Sequence, residues 1–123
     1  MRNFRNLEVW KDAIIIAKDV YSIKNKLPDA EKFGMSSQLG RAAISISSNL
    51  AEGCSRNSEK EFVRFIEIAI GSSFEVESLL ILSQELNFIQ NFDPTEILNK
   101  LEILQKKMNA LRTHYIKIIE TKK

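Results

Sequence analysis

Apolar residues recur every three or four positions through the first half of the chain, which is the period of an amphipathic α-helix. The first helix is predicted from Leu7 to Leu27, because Pro28 cannot continue a helix. The connector that follows has room for one short helical turn. Ser36 or Ser37 is the predicted cap of the second helix, which is expected to end near Gly53.

The second half of the chain repeats this period in two longer segments. The S-x-x-E pattern from Ser58 to Glu61 is a capping box, so the third helix is predicted to start there and to end between residues 87 and 90. Asp93 followed by Pro94 predicts the start of the fourth helix, which continues toward the C-terminus. No segment has a convincing strand pattern. The chain is therefore predicted to be all-α, as an antiparallel up-down-up-down four-helix bundle in a single domain, residues 1–123.

The second predicted helix carries a polar stripe where a solvent-facing helix would carry Lys and Glu. Its members have short hydrogen-bonding side chains and only two charges: Gln38, Arg41, Ser45, Ser48, Asn49 and Glu52. Because buried polar groups need hydrogen-bond partners, the stripe predicts a surface that another helix or subunit covers.

Antiparallel packing of the second and third helices predicts partners for this stripe. If the chain reverses near residue 55, Arg41 lies level with the middle of the third helix, and we expect an ion pair with Glu75 or, failing that, Glu67. Asn49 and Glu52 are expected to tie the end of the second helix to the loop and the third helix. The expected partner of the Glu52 carboxylate is Lys60 or Arg64.

The apolar surface is larger than one small bundle needs. The third predicted helix carries large apolar side chains that point in several directions: Phe62, Phe65, Ile66, Ile68 and Phe74. Small residues at 71–73 in the same helix allow another helix to approach closely. We therefore expect a homo-oligomer that buries helix faces between subunits, with a broad monomer core as the alternative.

The net charge of +2 is small, but it is unevenly distributed: residues 1–65 carry +3, residues 66–105 carry −6 and residues 106–123 carry +5. The basic C-terminal residues are the candidate nucleic-acid-binding site: Lys106, Lys107, Arg112, Lys117, Lys122 and Lys123. They predict a broad basic surface that contacts phosphates, to which Arg2, Arg5 and Lys11 can add. A solvated helix end that complements the helix dipole gives the same pattern and is the alternative.

Residue types that carry catalysis or bind metals are scarce. His114 is the only histidine and Cys54 the only cysteine, so no His pair, intrachain disulfide or Cys-based metal site is expected. Glu75 and Glu77 lie on different sides of a helix and make no carboxylate pair. We therefore expect a protein that is not an enzyme and has no cofactor and no metal. No signal peptide or membrane-length apolar run is recognised, so a cytoplasmic location is expected.

Landmarks along nearly the whole chain are similar to those of one known family. They are Phe4, Leu7, Val9-Trp10, Leu27-Pro28, Glu31, Phe33-Gly34-Met35, Gln38, Arg41-Ala42-Ala43, Ser45-Ile46, Asn49 to Gly53, Ser58, Glu61-Phe62, Ala69, Gly71-Ser72, Glu75 and Glu77. The chain resembles the bacterial four-helix-bundle proteins encoded in intervening sequences of 23S rRNA genes. Two positions depart mildly: Phe33 replaces a frequent Tyr, and Met35 a frequent Leu.

This resemblance implies an up-down bundle that assembles into a ring, with five subunits the expected number. A related branch, the accessory protein of diversity-generating retroelements, resembles the same fold, binds nucleic acid through basic surface and binds a reverse transcriptase. We therefore expect a non-enzymatic oligomer that binds nucleic acid through repeated basic surface, with RNA the favoured ligand. The alternative is a protein-interaction scaffold or accessory subunit that contacts a protein partner and binds no nucleic acid directly.

Overall fold

The computed structural model describes residues 2–122, which form four α-helices and two short 3₁₀ turns. The helices are α1 (Glu8–Lys24), α2 (Met35–Cys54), α3 (Glu59–Glu85) and α4 (Thr95–Thr121). The 3₁₀ turns, Phe4–Asn6 and Asp29–Glu31, precede α1 and α2. The described part of the chain contains no strand, so the all-α prediction is confirmed.

The four helices pack as a square. Each helix packs closely against the next one along the chain, α4 also packs against α1, and the backbones of the diagonal pairs within residues 2–122 lie further apart. The ion pairs between α1 and α4 give their relative direction: Asp19 meets Lys100, and Asp12, seven residues earlier, meets Lys107, seven residues later. The chain therefore folds as a four-helix bundle in which α1 and α4 run in opposite directions, as the up-down-up-down prediction requires.

The core is built from one apolar stripe of each helix. Its largest fully buried side chains are Ile16, Ile23, Leu39, Ile46, Leu50, Phe62, Ile66, Leu80, Leu101, Leu104 and Met108. Ser73 and Ser83 of α3 are also fully buried, and each donates a hydrogen bond to a carbonyl oxygen of its own helix, at Ile70 and Leu79. Such bonds satisfy the hydroxyl groups, so these two positions add no unpaired polar group to the core.

Side chains that accept hydrogen bonds start α3 and α4. Ser58 Oγ accepts from the backbone N–H of Glu61 at 3.1 Å, as the capping-box pattern predicts. Asp93 Oδ1 accepts from the backbone N–H of Thr95 at 3.0 Å, and α4 begins there, just after Pro94. The hydrogen bonds from Thr95 lower the pKa of Asp93, which keeps this cap ionised.

The predicted cap of α2 was wrong. The helix begins at Met35, whose backbone N–H donates to Glu31 Oε1 at 3.3 Å, so a carboxylate from the preceding 3₁₀ turn supplies the cap. Ser36 is buried and donates instead to the carbonyl oxygen of Lys24 at 3.3 Å, which ties the start of α2 to the end of α1.

Two predicted helix ends extended too far. α1 ends at Lys24, three residues early, although Leu27 is still buried against the core. α3 ends at Glu85, and Asn87 takes the left-handed conformation, with φ of 59°, that turns the chain toward α4.

Candidate nucleic-acid interface

Lys107, at the centre of the predicted basic surface of α4, is held by α1. Its Nζ lies 2.8 Å from Glu8 Oε1 and 3.0 Å from Asp12 Oδ2. The hydrogen bond and positive charge of Lys107 lower the pKa of Glu8, and the hydrogen bonds that Lys107 donates to Glu8 and Asp12 raise its own pKa. A cation between two carboxylates has little charge left to offer a phosphate.

Two further cations of α4 are paired with α3. Arg112 Nε lies 2.6 Å from Glu67 Oε2, and Lys122 Nζ lies 2.7 Å from Glu59 Oε1. The hydrogen bond from Lys122 lowers the pKa of Glu59. These pairs lie at the seam between the two helices and help to hold it closed.

The remaining predicted cations differ in their surroundings. Lys106 pairs with Glu102 on its own helix at 3.3 Å, and its side chain stays 76% exposed, so this contact is weak. Lys117 is exposed and forms no ion pair with another described residue. Lys123 lies outside the described residues. The five described residues of the predicted set therefore do not form one open basic surface, because their helix faces acidic side chains of α1 and α3.

Six of the cations without ion-pair partners among the described residues lie instead at one end of the bundle. There the segment before α1, the α2–α3 turn and the last turns of α4 meet. We call the following set the basic end: Arg2, Arg5, Arg56, Lys60, Arg64 and Lys117. Sequence reasoning missed three of them, although the signal was present as three cations within residues 56–64.

Arg2 fixes the first segment of the chain against this end. Its guanidinium carbon lies 4.2 Å from the ring centroid of Phe62 and 5.2 Å from that of Tyr115. Its Nη1 donates to the carbonyl oxygen of Arg56 at 3.4 Å. The guanidinium of Arg56 in turn lies 4.9 Å from the ring centroid of Phe65. These cation–π contacts orient two cations of the basic end before any ligand arrives.

The two ends of the bundle carry opposite net charge. With Lys122, the basic end has seven cations against four carboxylates, a difference of +3; the carboxylates are Glu52, Glu59, Glu61 and Glu120. The other end has three lysines against five carboxylates, a difference of −2: Lys24, Lys26 and Lys32 against Asp29, Glu31, Glu85, Asp93 and Glu96. A molecule polarised in this way attracts an anionic partner toward its basic end.

Part of the polar stripe of α2 is used inside the chain. Asn49 Nδ2 donates to the carbonyl oxygen and to Oγ of Ser45, at 2.8 and 2.9 Å. Ser45 Oγ lies 2.7 Å from Ser72 Oγ on α3. These short side chains link α2 to α3, so α3 covers this part of the stripe.

Another part of the stripe lines an open hollow of about 400 Å³ between α2 and α3. Its wall is formed by Phe33, Ser37, Gln38, Arg41, Ala42, Ser45 and Glu75. The predicted ion pair between Arg41 and Glu75 does not form in the described chain, and Glu67 binds Arg112 instead. The helices meet through short serine side chains, which leaves both charges at the exposed rim.

Glu52, the last residue of the stripe, is exposed at the end of α2. Within residues 2–122 its carboxylate pairs with neither Lys60 nor Arg64, so that prediction is also corrected. Its carbonyl oxygen accepts a hydrogen bond from Ser55 Oγ at 2.6 Å, which closes the end of the helix without its side chain.

The outer surface of α3 exposes large apolar side chains among the polar side chains of Glu67, Glu75, Ser78 and Glu85. The exposed fractions of these apolar side chains range from 42% at Ile68 to 54% at Phe74. A methyl group added at Gly71 would meet no other atom within 4 Å, so packing within this chain does not require glycine there. We call this surface the outer α3 face: Ile68, Gly71, Phe74, Ile81 and Leu82.

The reactive residue types lie apart. Cys54 is buried, and that burial raises the pKa of its thiol, whereas a reactive cysteine needs a lowered one. His114 is exposed, with its ring edge against Tyr115 at a centroid distance of 5.2 Å. In the region from residue 2 to residue 122, no three His, Cys, Asp or Glu side chains form a metal-binding group. None of the described helices has the length and apolar character needed to cross a membrane.

Fold and surface together define an all-α four-helix-bundle protein with one cation-rich end and an exposed apolar helix face. The sequence pattern of the family described as 23S rRNA-intervening sequence protein matches residues 5–110, and the chain belongs to this family. No curated protein matches the chain. The family description names a setting in 23S rRNA genes and no activity.

Proposed function

We propose that this protein is a non-enzymatic, self-associating bundle that binds nucleic acid, RNA in preference to DNA, through its basic end. The observation that carries the proposal is the gathering of six cations with no ion pair to another described residue where three segments of the chain meet. Such cations can neutralise phosphates without first breaking an ion pair with a carboxylate. The rRNA setting in the family description makes RNA the first ligand to test.

Recognition at the basic end is led by phosphate contacts. Lysine and arginine side chains replace the counterions around a nucleic acid, so the affinity falls as salt rises. Arginine also offers a planar fork of donors that matches two phosphate oxygens. Phosphate contacts position a nucleic acid without reading its sequence, so the basic end binds many RNA sequences with similar affinity.

Self-association is supported by two complementary faces. Opposite the outer α3 face, α1 exposes Lys11, Ile15 and Lys18, and neither lysine pairs with another described residue. The outer α3 face is apolar and its helix is acidic, with Glu67 and Glu85 beside it. Because α1 and α3 are not neighbours in the bundle, these two faces lie on different sides of it. A contact of α3 on α1 of the next copy is therefore heterologous.

A heterologous contact that closes makes a ring, and five subunits is the number that the family resemblance implies. Rotation about a ring axis parallel to the helices brings every basic end to the same side of the assembly. Several weak phosphate contacts then act together, which raises the overall affinity for a long RNA.

The proposal is tested by fluorescence anisotropy of a labelled structured RNA and a matched DNA duplex, titrated with the full chain. Two triple variants remove the same charge: Arg56→Ala, Lys60→Ala and Arg64→Ala at the basic end, and Lys106→Ala, Lys107→Ala and Arg112→Ala on α4. The expected result is salt-sensitive binding that the first variant weakens at least tenfold and the second weakens much less. Light scattering of the same samples gives the number of 14.1 kDa chains in the assembly.

Two outcomes contradict the proposal. Absence of binding at low salt, by a protein confirmed to be oligomeric, favours the protein-interaction scaffold. A larger loss in the α4 variant than in the basic-end variant returns the interface to α4. Unchanged thermal unfolding of both variants shows that the comparison concerns binding and not folding.

A further inference from the structure

The hollow between α2 and α3 combines an exposed aromatic ring with two opposite charges that have no partner in the described chain. We propose that this hollow receives an unpaired guanine base of an RNA strand whose phosphates lie on the basic end. This inference rests on the proposed function and adds a base preference to it. Phe33 supplies the stacking surface, and Arg41 and Glu75 contact the edges of the base.

Phe33 provides the stacking surface because its side chain is almost entirely outside the core. It is 90% exposed, and Lys32 Nζ lies 5.6 Å from its ring centroid. A phenylalanine in that position gains nothing from the hydrophobic core of its own chain. Proteins that bind single-stranded RNA stack unpaired bases on such rings, with a nearby cation for the adjacent phosphate.

The polar groups of the hollow match guanine in particular. A carboxylate accepts two hydrogen bonds, and guanine presents two neighbouring donors, N1–H and the 2-amino group. A guanidinium donates two hydrogen bonds, and guanine O6 and N7 are the pair of acceptors that arginine contacts most often. Glu75 and Arg41 line the same hollow without pairing with each other, so each keeps its hydrogen-bonding capacity for a ligand. Gln38 adds an amide to the same wall.

The other bases match this pair less well. Adenine and cytosine each offer a carboxylate one exocyclic amino group, and uracil offers only one N–H donor. None of them presents two neighbouring donors on one edge and two acceptors on another. Phe33 lies at the opposite end of α2 from the basic end, so the bound strand runs along α2. Arg41, further along the hollow, is fifteen residues from Arg56, about 22 Å along the helix direction.

The test compares short single-stranded RNAs that differ at one base. A uridine nonamer is the reference, and its central residue is replaced in turn by guanosine, adenosine, inosine and 7-deazaguanosine. Inosine lacks the 2-amino group that Glu75 contacts, and 7-deazaguanosine lacks the N7 that Arg41 contacts. The full chain is expected to bind the guanosine oligomer about tenfold more tightly than the reference, the scale of one good bidentate contact. Both analogues are expected to lose most of this preference.

Variants connect the preference to the hollow. Phe33→Leu and Glu75→Gln are expected to abolish the guanosine preference, measured as the ratio of the affinities for the guanosine and uridine oligomers. Glu102→Gln on α4 removes one carboxylate outside the hollow and is expected to keep the preference. Far-UV circular dichroism during heating confirms that each variant is folded.

Three outcomes contradict the inference. Equal affinity for all oligomers, or a preference that survives both Phe33→Leu and Glu75→Gln, overturns the inference and leaves RNA binding at the basic end intact. Absence of binding to any oligomer, by a protein that binds the structured RNA, overturns the inference alone, whereas absence of binding to both kinds of RNA overturns the proposed function as well. Free GMP that binds as tightly as the guanosine oligomer and competes with it assigns the hollow to a nucleotide and overturns the RNA as its source.

Discussion

Lys107 lies 2.8 Å from Glu8, a contact that joins the middle of α4 to the first turn of α1. Lys100 and Asp19, also 2.8 Å apart, form a second ion pair further along the contact between α1 and α4. Between the two pairs lies a shallow apolar pocket of about 220 Å³, lined by Ile15, Ile16 and Ile103. Charge therefore holds α1 and α4 together where their apolar packing is incomplete.

Removal of the Lys107 charge is expected to make thermal stability less dependent on pH. The pKa of Glu8 is lowered from 4.5 by Lys107, so the stabilisation is present above that value and is lost as the pH falls through the lowered one. The pKa of Lys107 is raised from 10.5, so the stabilisation also disappears as the pH rises through the raised value. Lys107→Gln should lower Tm by a few degrees at pH 7, and by less in strong acid.

The measurement is Tm by circular dichroism from pH 2 to pH 8, at low and high salt. Lys106→Gln is the control, because Lys106 contacts only an exposed carboxylate one helical turn away, and it should change Tm less at every pH. A difference between wild type and Lys107→Gln that stays constant from pH 2 to pH 8 would show that the ion pair is not its source.

Two glycines in helices should respond oppositely to alanine. At Gly53 a new Cβ would lie 2.8 Å from Phe65 Cβ and 3.1 Å from Phe62 Cδ1, so the tightly packed turn between α2 and α3 must shift. Gly53→Ala is expected to lower the free energy of unfolding by about 1–3 kcal/mol. At Gly71 the added methyl meets no atom within 4 Å of its own chain, and Gly71→Ala should raise it by about 0.5–1 kcal/mol.

Urea denaturation of the two alanine variants measures both changes, in samples dilute enough to be monomeric. If Gly71→Ala destabilises the monomer as much as Gly53→Ala does, the space around Gly71 is not open in solution.

The hydrogen bond between Ser45 and Ser72 should give a measurable coupling between α2 and α3. The two oxygens are 2.7 Å apart, and Asn49 donates to the same Ser45 oxygen. A double-mutant cycle with Ser45→Ala and Ser72→Ala is expected to return about 0.5–1.5 kcal/mol, the usual net value of such a bond. Additive effects of the two substitutions would mean that the serines do not bond in solution. Ser48→Ala, on the exposed side of α2, is the control and should show no coupling with Ser72→Ala.

The fold was predictable because its signals are local. Helical periodicity identified all four helices, and the capping box at Ser58 marked the start of α3 within one residue. The cap of α2 was missed because it comes from Glu31, which the short 3₁₀ turn carries back to the helix start. Nothing in the serines at 36 and 37 indicates that the first of them turns inward to bind the carbonyl oxygen of Lys24.

The candidate site was less predictable because it depends on distant partners. Six cations near the C-terminus predict a basic surface. However, Glu8 lies 99 residues before Lys107 in the sequence, and the two side chains meet only because of the orientation of α1 in the bundle. The same holds for Arg41 and Glu75. The sequence predicted that they lie at the same level along the bundle, but it did not show that they line the hollow without forming an ion pair. The charge distribution along a sequence therefore shows how many cations are present, but it does not show where on the folded surface they remain without a carboxylate partner.

Single cations of the basic end should change the salt dependence of RNA binding. Each phosphate contact to a single strand contributes about 0.7 to the slope of log affinity against log salt. Arg56→Gln should therefore reduce the slope by about that amount for every RNA sequence, because a phosphate contact reads no base. Anisotropy titrations between about 50 and 200 mM salt measure it. Lys107→Gln should leave the slope unchanged, and equal reductions in both variants would contradict the basic end as the interface.

The two faces proposed for self-association can be separated by mixing variants. Phe74→Glu places a charge on the outer α3 face, and Lys18→Glu reverses a charge on the outer surface of α1, so each alone should give a 14.1 kDa monomer. Each variant keeps the face that the other lacks. An equimolar mixture should therefore form a dimer of twice that mass through one intact contact, with no closed ring, because the second contact carries both substitutions. Ile44→Glu, on the exposed side of α2, is the control and should keep the wild-type mass. A mixture that stays monomeric would show that α3 does not bind α1 of the next copy, since a heterologous contact requires one intact pair of faces and the mixture supplies it.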